Sequence, residues 1–149
     1  MSTHQQLLYH IVFSTKQRKR LLHDGMRENV FAYMAGTCKK LEGFALEIDG
    51  FYDHAHLLVR IPAKIAVADF VGKLKANTSK HINEESGSLK TFAWQDGYGA
   101  FTVSPSRKDT VANYIRNQME HHQRDSFENE YLQLLKKHEV KFDERYVFD

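Results

Sequence analysis

At 149 residues, 42% of them hydrophobic and 12% aromatic, the chain is sized for one soluble domain with a proper core, spanning residues 1–149, and its composition excludes a disordered protein. A net charge of +2 makes it weakly basic, and the lone Cys38, set among helix-forming residues, excludes an internal disulfide and reads as a buried thiol rather than a nucleophile. No apolar run approaches membrane-spanning length and no leader pattern opens the chain, so the expected location is the cytoplasm, with no membrane partner.

In chain order, Leu7 to Thr15 ("LLYHIVFST") is β-rich and predicts a first strand. Asp24 to about Leu41 repeats apolar residues at Met26, Val30, Phe31, Met34 and Cys38, a three-to-four spacing that predicts an amphipathic helix ending near Gly43. "FALEID" and "HAHLLVRI" predict two strands joined by a tight turn around Gly50. Val67 to about Asn83 gathers Phe70, Val71, Leu74 and Ile82 on one side and predicts a second helix. "FAWQDGYGAFTVS" has strand character at its end, and Ser104-Pro105-Ser106 signals a third helix over Arg107 to Gln123. The remainder, from Phe127 on, reads as a short helix and an extended tail. This β-α-β-β-α-β order predicts an α+β fold of ferredoxin-like type, an antiparallel sheet with helices on one face.

The stretch "FYDHAHLLVRI" sets two histidines into an otherwise apolar strand. Side chains alternate along a strand, so His54 and His56 share a face and Ala55 points away. Two imidazoles on one face can both reach a single metal ion; alternatively each hydrogen-bonds a neighbour and does nothing more. Asp53 faces the opposite side if the strand is regular, or lies at its start and supports a metal shell. On the third helix, Tyr114 and Gln118 are four apart and so share a face, which would present a hydroxyl and an amide together, although a half-buried Tyr beside a surface Gln is the ordinary outcome of this spacing.

Taken together, these segments resemble the single-tyrosine HUH transposases of the insertion-sequence 200/605 group. "YHIVFST" is similar to the family's opening strand, "DHAHLLVRIP" to its His-hydrophobic-His strand and "FVGKLKANTSKHI" to the basic helix after it. "WQDGYGAFTVS" resembles the strand before the catalytic helix and "YIRNQMEHH" that helix itself. The resemblance covers most of the chain and implies an HUH endonuclease fold. It also implies a transposase that cuts and rejoins single-stranded DNA beside an imperfect hairpin through a 5′-phosphotyrosine. It casts Tyr114 as nucleophile and His54, His56 and Gln118 as ligands of Mg²⁺ or Mn²⁺. It further implies a homodimer in which the tyrosine helix of one subunit meets the histidines of the other.

Candidate DNA contacts are the cationic run "KQRKR", with Lys16 and Arg18, and the helical face of Lys73, Asn77 and Lys80, which suits hairpin phosphates. Trp94, Tyr98 and Phe101 are suited either to base stacking or to core packing. His121 and His122 follow Gln118, His122 one turn beyond it; they could touch DNA or the metal shell, but exposed helix-end histidines are the preferred reading. Two other functions fit parts of the pattern: a domesticated hairpin-DNA binder without transposition activity, and a metal-dependent hydrolase in which the histidines activate water. The set of His54, His56, Tyr114 and Gln118 favours catalysis over the first, and the tyrosine without a clearly placed carboxylate base disfavours the second.

Overall fold

Alternation of apolar residues on two faces makes Leu8–Ser14 the first strand, β1, of a computed structural model that describes residues 1–86 and 91–148. Helix α1, Asp24–Lys40, buries Val30, Phe31, Met34 and Cys38 along its predicted stripe. It ends where Glu42 takes a left-handed φ of 65° and the Gly43 N–H closes on the Cys38 carbonyl at 2.9 Å. Glycine is needed at 43 for approach rather than for φ, because a Cβ there would meet the Arg60 carbonyl at 2.6 Å.

Strands β2, Phe44–Gly50, and β3, His54–Arg60, form the predicted hairpin. A Cβ on Gly50 would lie 2.2 Å from the His54 carbonyl, so the close crossing that delivers His54 requires glycine. Helix α2 is Val67–Glu85, and β4 is Gly99–Thr102. The predicted third helix is two pieces, α3 at Lys108–Arg116 and α4 at Gln118–His121, with Asn117 non-helical between them (φ −99°, ψ 22°). Helix α5, Phe127–Lys137, is capped by Ser126, whose hydroxyl accepts from the Asn129 N–H at 3.1 Å.

The sheet order is β2-β3-β1-β4 and every pair is antiparallel, the expected ferredoxin-like order. Helices α1 and α2 cover one face, closing a core of Ile11, Phe13, Ala55, Leu57 and Val59 with Phe70, Val71 and Leu74. The other face carries His54, His56 and Leu58 of β3 and His10 and Val12 of β1, and α3, α4 and α5 close over it. Leu58 packs there against Ile115, and Val12 and Phe101 against Phe127 and Leu135. Strand β3 is therefore buried on both faces, which explains its almost unbroken apolar sequence. Among the described residues no helix is long and apolar enough to cross a membrane.

Trp94 and Phe101 take the packing alternative: Trp94 is 8% exposed and meets Phe13 edge-to-face at 4.8 Å, and Phe101 is 4% exposed. Tyr98 packs against the same core as Trp94.

Candidate active site

Strand alternation sends both histidines of β3 into the interface between the sheet and the C-terminal helices, where each is fully buried. An imidazole taken out of water needs partners for both nitrogens, and both rings have them. His54 Nδ1–H donates to Asp53 at 2.7 Å and its Nε2–H donates to the Gln118 side-chain oxygen at 3.0 Å. Asp53 thus sits just before the strand with its carboxylate against the His54 ring. Its carbonyl is in turn fixed by the Thr15 N–H at 2.8 Å. His56 Nε2–H donates to the carboxylate of Glu130 at 2.9 Å, and its Nδ1 accepts from His10 Nε2–H at 2.8 Å.

Glu130 is the hub of the site. Its Oε1 lies 2.9 Å from His56 Nε2, 2.9 Å from His122 Nε2 and 3.4 Å from His54 Nε2. Its Oε2 accepts from the Gln118 side-chain N–H at 3.1 Å and from the Tyr114 hydroxyl. The carboxylate is 3% exposed, and burial alone would push it towards the neutral form. The surrounding imidazoles outweigh that and hold it ionised, well below the usual carboxylate range.

The two β3 histidines differ in charge for the same reasons. Burial disfavours the cation in both, but hydrogen bonds to Asp53 and Glu130 raise His54 to about 9. Burial prevails at His56, helped by the neighbouring His54, and lowers it; His10 is lowered well below its ordinary value by burial and by His56. Burial, and then the adjacent Glu130 charge, push the Tyr114 hydroxyl far above its ordinary value, so it holds its proton.

The structure thus brings His54, His56, Tyr114 and Gln118 together within one chain. The kink at Asn117 does not separate Tyr114 from Gln118: the Asn117 N–H still bonds the Asn113 carbonyl at 3.2 Å, and the Gln118 side-chain N–H reaches back to the Tyr114 carbonyl at 3.4 Å. One expectation needs correction: His122 is buried, its ring tied by Nδ1–H to the Asp125 carbonyl at 2.8 Å, because the chain turns there to start α5 instead of fraying into solvent. His121 stays partly exposed beside Tyr114. Glu130 and His10 escaped the sequence reading altogether. A signal for Glu130 exists: with Phe127, Tyr131 and Leu134 it falls on the apolar face of its helix, where a carboxylate needs a reason. His10 lies on the same strand face as Leu8 and Val12, but nothing local shows what it touches.

An open cleft of about 560 Å³ reaches Tyr114 and Glu130 from solvent, flanked by His10, Arg107, Lys137 and His138. Among the candidate DNA contacts, Lys16 is exposed beyond β1, while Arg18 pairs with Glu128 of α5 at 3.1 Å and stacks on Phe148. Lys73, Asn77 and Lys80 are exposed on α2, on the opposite side of the sheet from the histidines.

A family model described as "Transposase IS200 like" matches residues 3–118. The transposase for insertion sequence element IS200 of Salmonella typhimurium is 32% identical over 117 residues, covering 75% of this chain and 76% of that protein. The ISDra2 transposase TnpA of Deinococcus radiodurans is 28% identical over 122 residues, covering 76% and 84%. Among solved structures, a transposase candidate from Deinococcus radiodurans aligns with a TM-score of 0.65 at 23% identity, over 79% of this chain and 95% of that one. A REP-associated tyrosine transposase bound to a REP hairpin aligns with a TM-score of 0.61 at 12% identity, over 82% and 74%. The histidine strand and the tyrosine–glutamine pair lie inside the matched segment, Glu130 and His122 beyond it, and the chain belongs to the IS200-like transposase family.

Proposed function

We propose that this transposase cuts and rejoins single-stranded DNA at the hairpin-flanked ends of a mobile element, using Tyr114 as nucleophile and a divalent cation, magnesium or manganese, held by His54, His56 and Gln118. The observation that carries the reading is the meeting of the Tyr114 hydroxyl with this buried imidazole–amide–carboxylate cluster at the floor of an open cleft. The donor set fits such an ion, since it holds two neutral-capable imidazoles and an amide oxygen and no thiolate. When bound, the cation would supply Lewis-acid stabilisation of charge on the scissile phosphate.

The chain's own residues supply the rest. Glu130 accepts the hydroxyl hydrogen of Tyr114, which orients the phenol and provides the nearest acceptor for its proton during attack. The tyrosyl oxygen then forms a bond to phosphorus, the bond to the 3′-oxygen breaks, and the 5′-phosphate remains on Tyr114. The reverse attack by a 3′-hydroxyl rejoins strands without ATP, because the phosphodiester is exchanged and not hydrolysed. Arg107 and Lys137 flank the cleft where the strand's phosphates would enter. Lys16, Arg18, Lys73, Asn77 and Lys80 are the proposed phosphate contacts of the hairpin, which position DNA without reading its sequence. The working unit is proposed to be a homodimer in the cytoplasm, paired along a sheet edge such as β4, which among the described residues has only β1 beside it. The non-catalytic hairpin binder is not favoured, since pure binding gives no reason to bury this ionisable set around a tyrosine.

Tyr114→Phe is expected to abolish cleavage of single-stranded DNA carrying the hairpin while hairpin binding stays near wild type. His56→Ala or EDTA is expected to stop cleavage, with Mn²⁺ or Mg²⁺ restoring only the EDTA-treated protein. A phosphotyrosyl adduct trapped on another tyrosine, or full activity in chelator, would overturn the assignment.

A further inference from the structure

Three imidazoles, not two, converge in this site, and all three are aimed in the same way. His54 Nδ1 is tied to the Asp53 carboxylate at 2.7 Å, His56 Nδ1 to His10 at 2.8 Å and His122 Nδ1 to the Asp125 carbonyl at 2.8 Å. Each ring therefore presents Nε2 inward, and an outer hydrogen bond that orients the ring is how metal-binding histidines are held. The inward atoms of His54, His56 and His122 and a Glu130 oxygen all lie within 4.8 Å of one another, and all four residues are buried.

The spacings can be compared with those around an ion. Donors about 2.0–2.2 Å from one centre lie about 3.0 Å apart at right angles and about 3.4 Å apart in a tetrahedron. Glu130 Oε1 stands 2.9, 2.9 and 3.4 Å from the three Nε2 atoms, and Gln118 Oε1 stands 3.0 Å from His54 Nε2. A buried carboxylate placed to bond only one partner would not need three nitrogens at these distances.

We infer that Glu130 and His122 are ligands of the divalent cation in this chain, so that the C-terminal segment beyond the family match completes the metal centre. The inference rests on the reading of His54 and His56 as metal ligands. It extends that reading to residues from α5 and from the turn before it. Glu130 then has two separate tasks, Oε1 towards the cation and Oε2 towards Tyr114. Three imidazoles with one carboxylate form a softer set than the oxygen-dominated surroundings Mg²⁺ prefers, so the site should favour Mn²⁺.

Direct binding tests this without relying on cleavage. Metal-stripped wild-type protein, His56→Ala, His122→Asn and Glu130→Gln would be titrated with Mn²⁺ by calorimetry, with folding checked by circular dichroism. Wild type is expected to bind one Mn²⁺, and Glu130→Gln and His122→Asn to weaken that binding about tenfold or more. Pulsed electron paramagnetic resonance of wild type with Mn²⁺ should count three coordinated imidazoles and needs no variant. Mg²⁺ should displace the Mn²⁺ only at large excess. Unchanged Mn²⁺ affinity in folded Glu130→Gln, or two imidazoles in the spectrum, would overturn the inference while leaving the His54–His56 site standing. Tighter binding in Glu130→Gln would also overturn it, marking the carboxylate as a plug in the cation's place. Absence of Mn²⁺ binding by wild type would overturn both this inference and the metal reading beneath it.

Discussion

Glu130 and Cys38 show how burial acts on two titratable side chains with opposite results. Glu130 is buried among cation-capable rings that accept its charge, so it remains ionised and becomes the centre of a hydrogen-bonded set. Cys38 is buried on α1 among apolar neighbours, and burial outweighs its backbone hydrogen bond and pushes the thiol up to about 12. The expected consequence is that Cys38 resists iodoacetamide in native protein at pH 8 and reacts as an ordinary thiol in guanidinium. Mass spectrometry of timed samples checks this, and native labelling at the denatured rate would contradict the packing of α1. The sequence reading of Cys38 as an inert core thiol needed only its place in a helical stripe. Glu130 needed more, since its partner His56 is 74 positions away.

Helix α5 packs on the sheet through two buried apolar residues as well as through Glu130. Phe127, 2% exposed, and Leu135, 5% exposed, pack on Val12 and Phe101, and the Arg18–Glu128 pair adds a partly exposed contact of small value. Phe127→Ala should therefore cost about 3–5 kcal/mol, the usual range for emptying a buried phenylalanine site. Denaturant titration measures that loss. A change below about 1 kcal/mol would mean that the site collapses freely or that α5 is not docked as described. Because Phe127 also lies 4.7 Å from the His54 ring, centroid to centroid, loosening α5 disturbs the histidine site from its outer side. The same element explains why the fold contains more on its second face than the β-α-β-β-α-β pattern indicates. Periodicity predicted α5 as a short helix, but its docking depends on Phe101 and Val12 being neighbours, a consequence of β4 pairing with β1.

At the scale of the whole molecule, the question is whether one chain or two build a working site. The family resemblance implies sites shared between subunits. In this structure Tyr114 meets Glu130, and Glu130 meets His54 and His56, all in a single chain. That closure supports action in cis, even within a homodimer. A mixture of Tyr114→Phe and His56→Ala protein, after subunit exchange, is then expected to show no recovered cleavage, because every subunit lacks one of its own parts. Recovered cleavage in confirmed heterodimers would instead establish the exchanged arrangement. Light scattering of the same samples checks the proposed dimer itself, and a monomer mass would remove it.

The sheet, its order of elements, the paired histidines and the tyrosine–glutamine helix were legible in the amino-acid sequence because each depends on short-range regularities. Alternation along a strand aligns His54 with His56, and one helical turn relates Tyr114 to Gln118. The core stripe of α1 and α2 follows from the same periodicity. Only the tertiary structure decided that a second layer closes over the histidine face. It also decided that His122 turns inward there and that His10 orients His56. Most of all, it placed Glu130 between the histidines and the tyrosine. Those relations join residues far apart in the chain, set by which helix packs on which strand, and no local pattern encodes a distance of that kind.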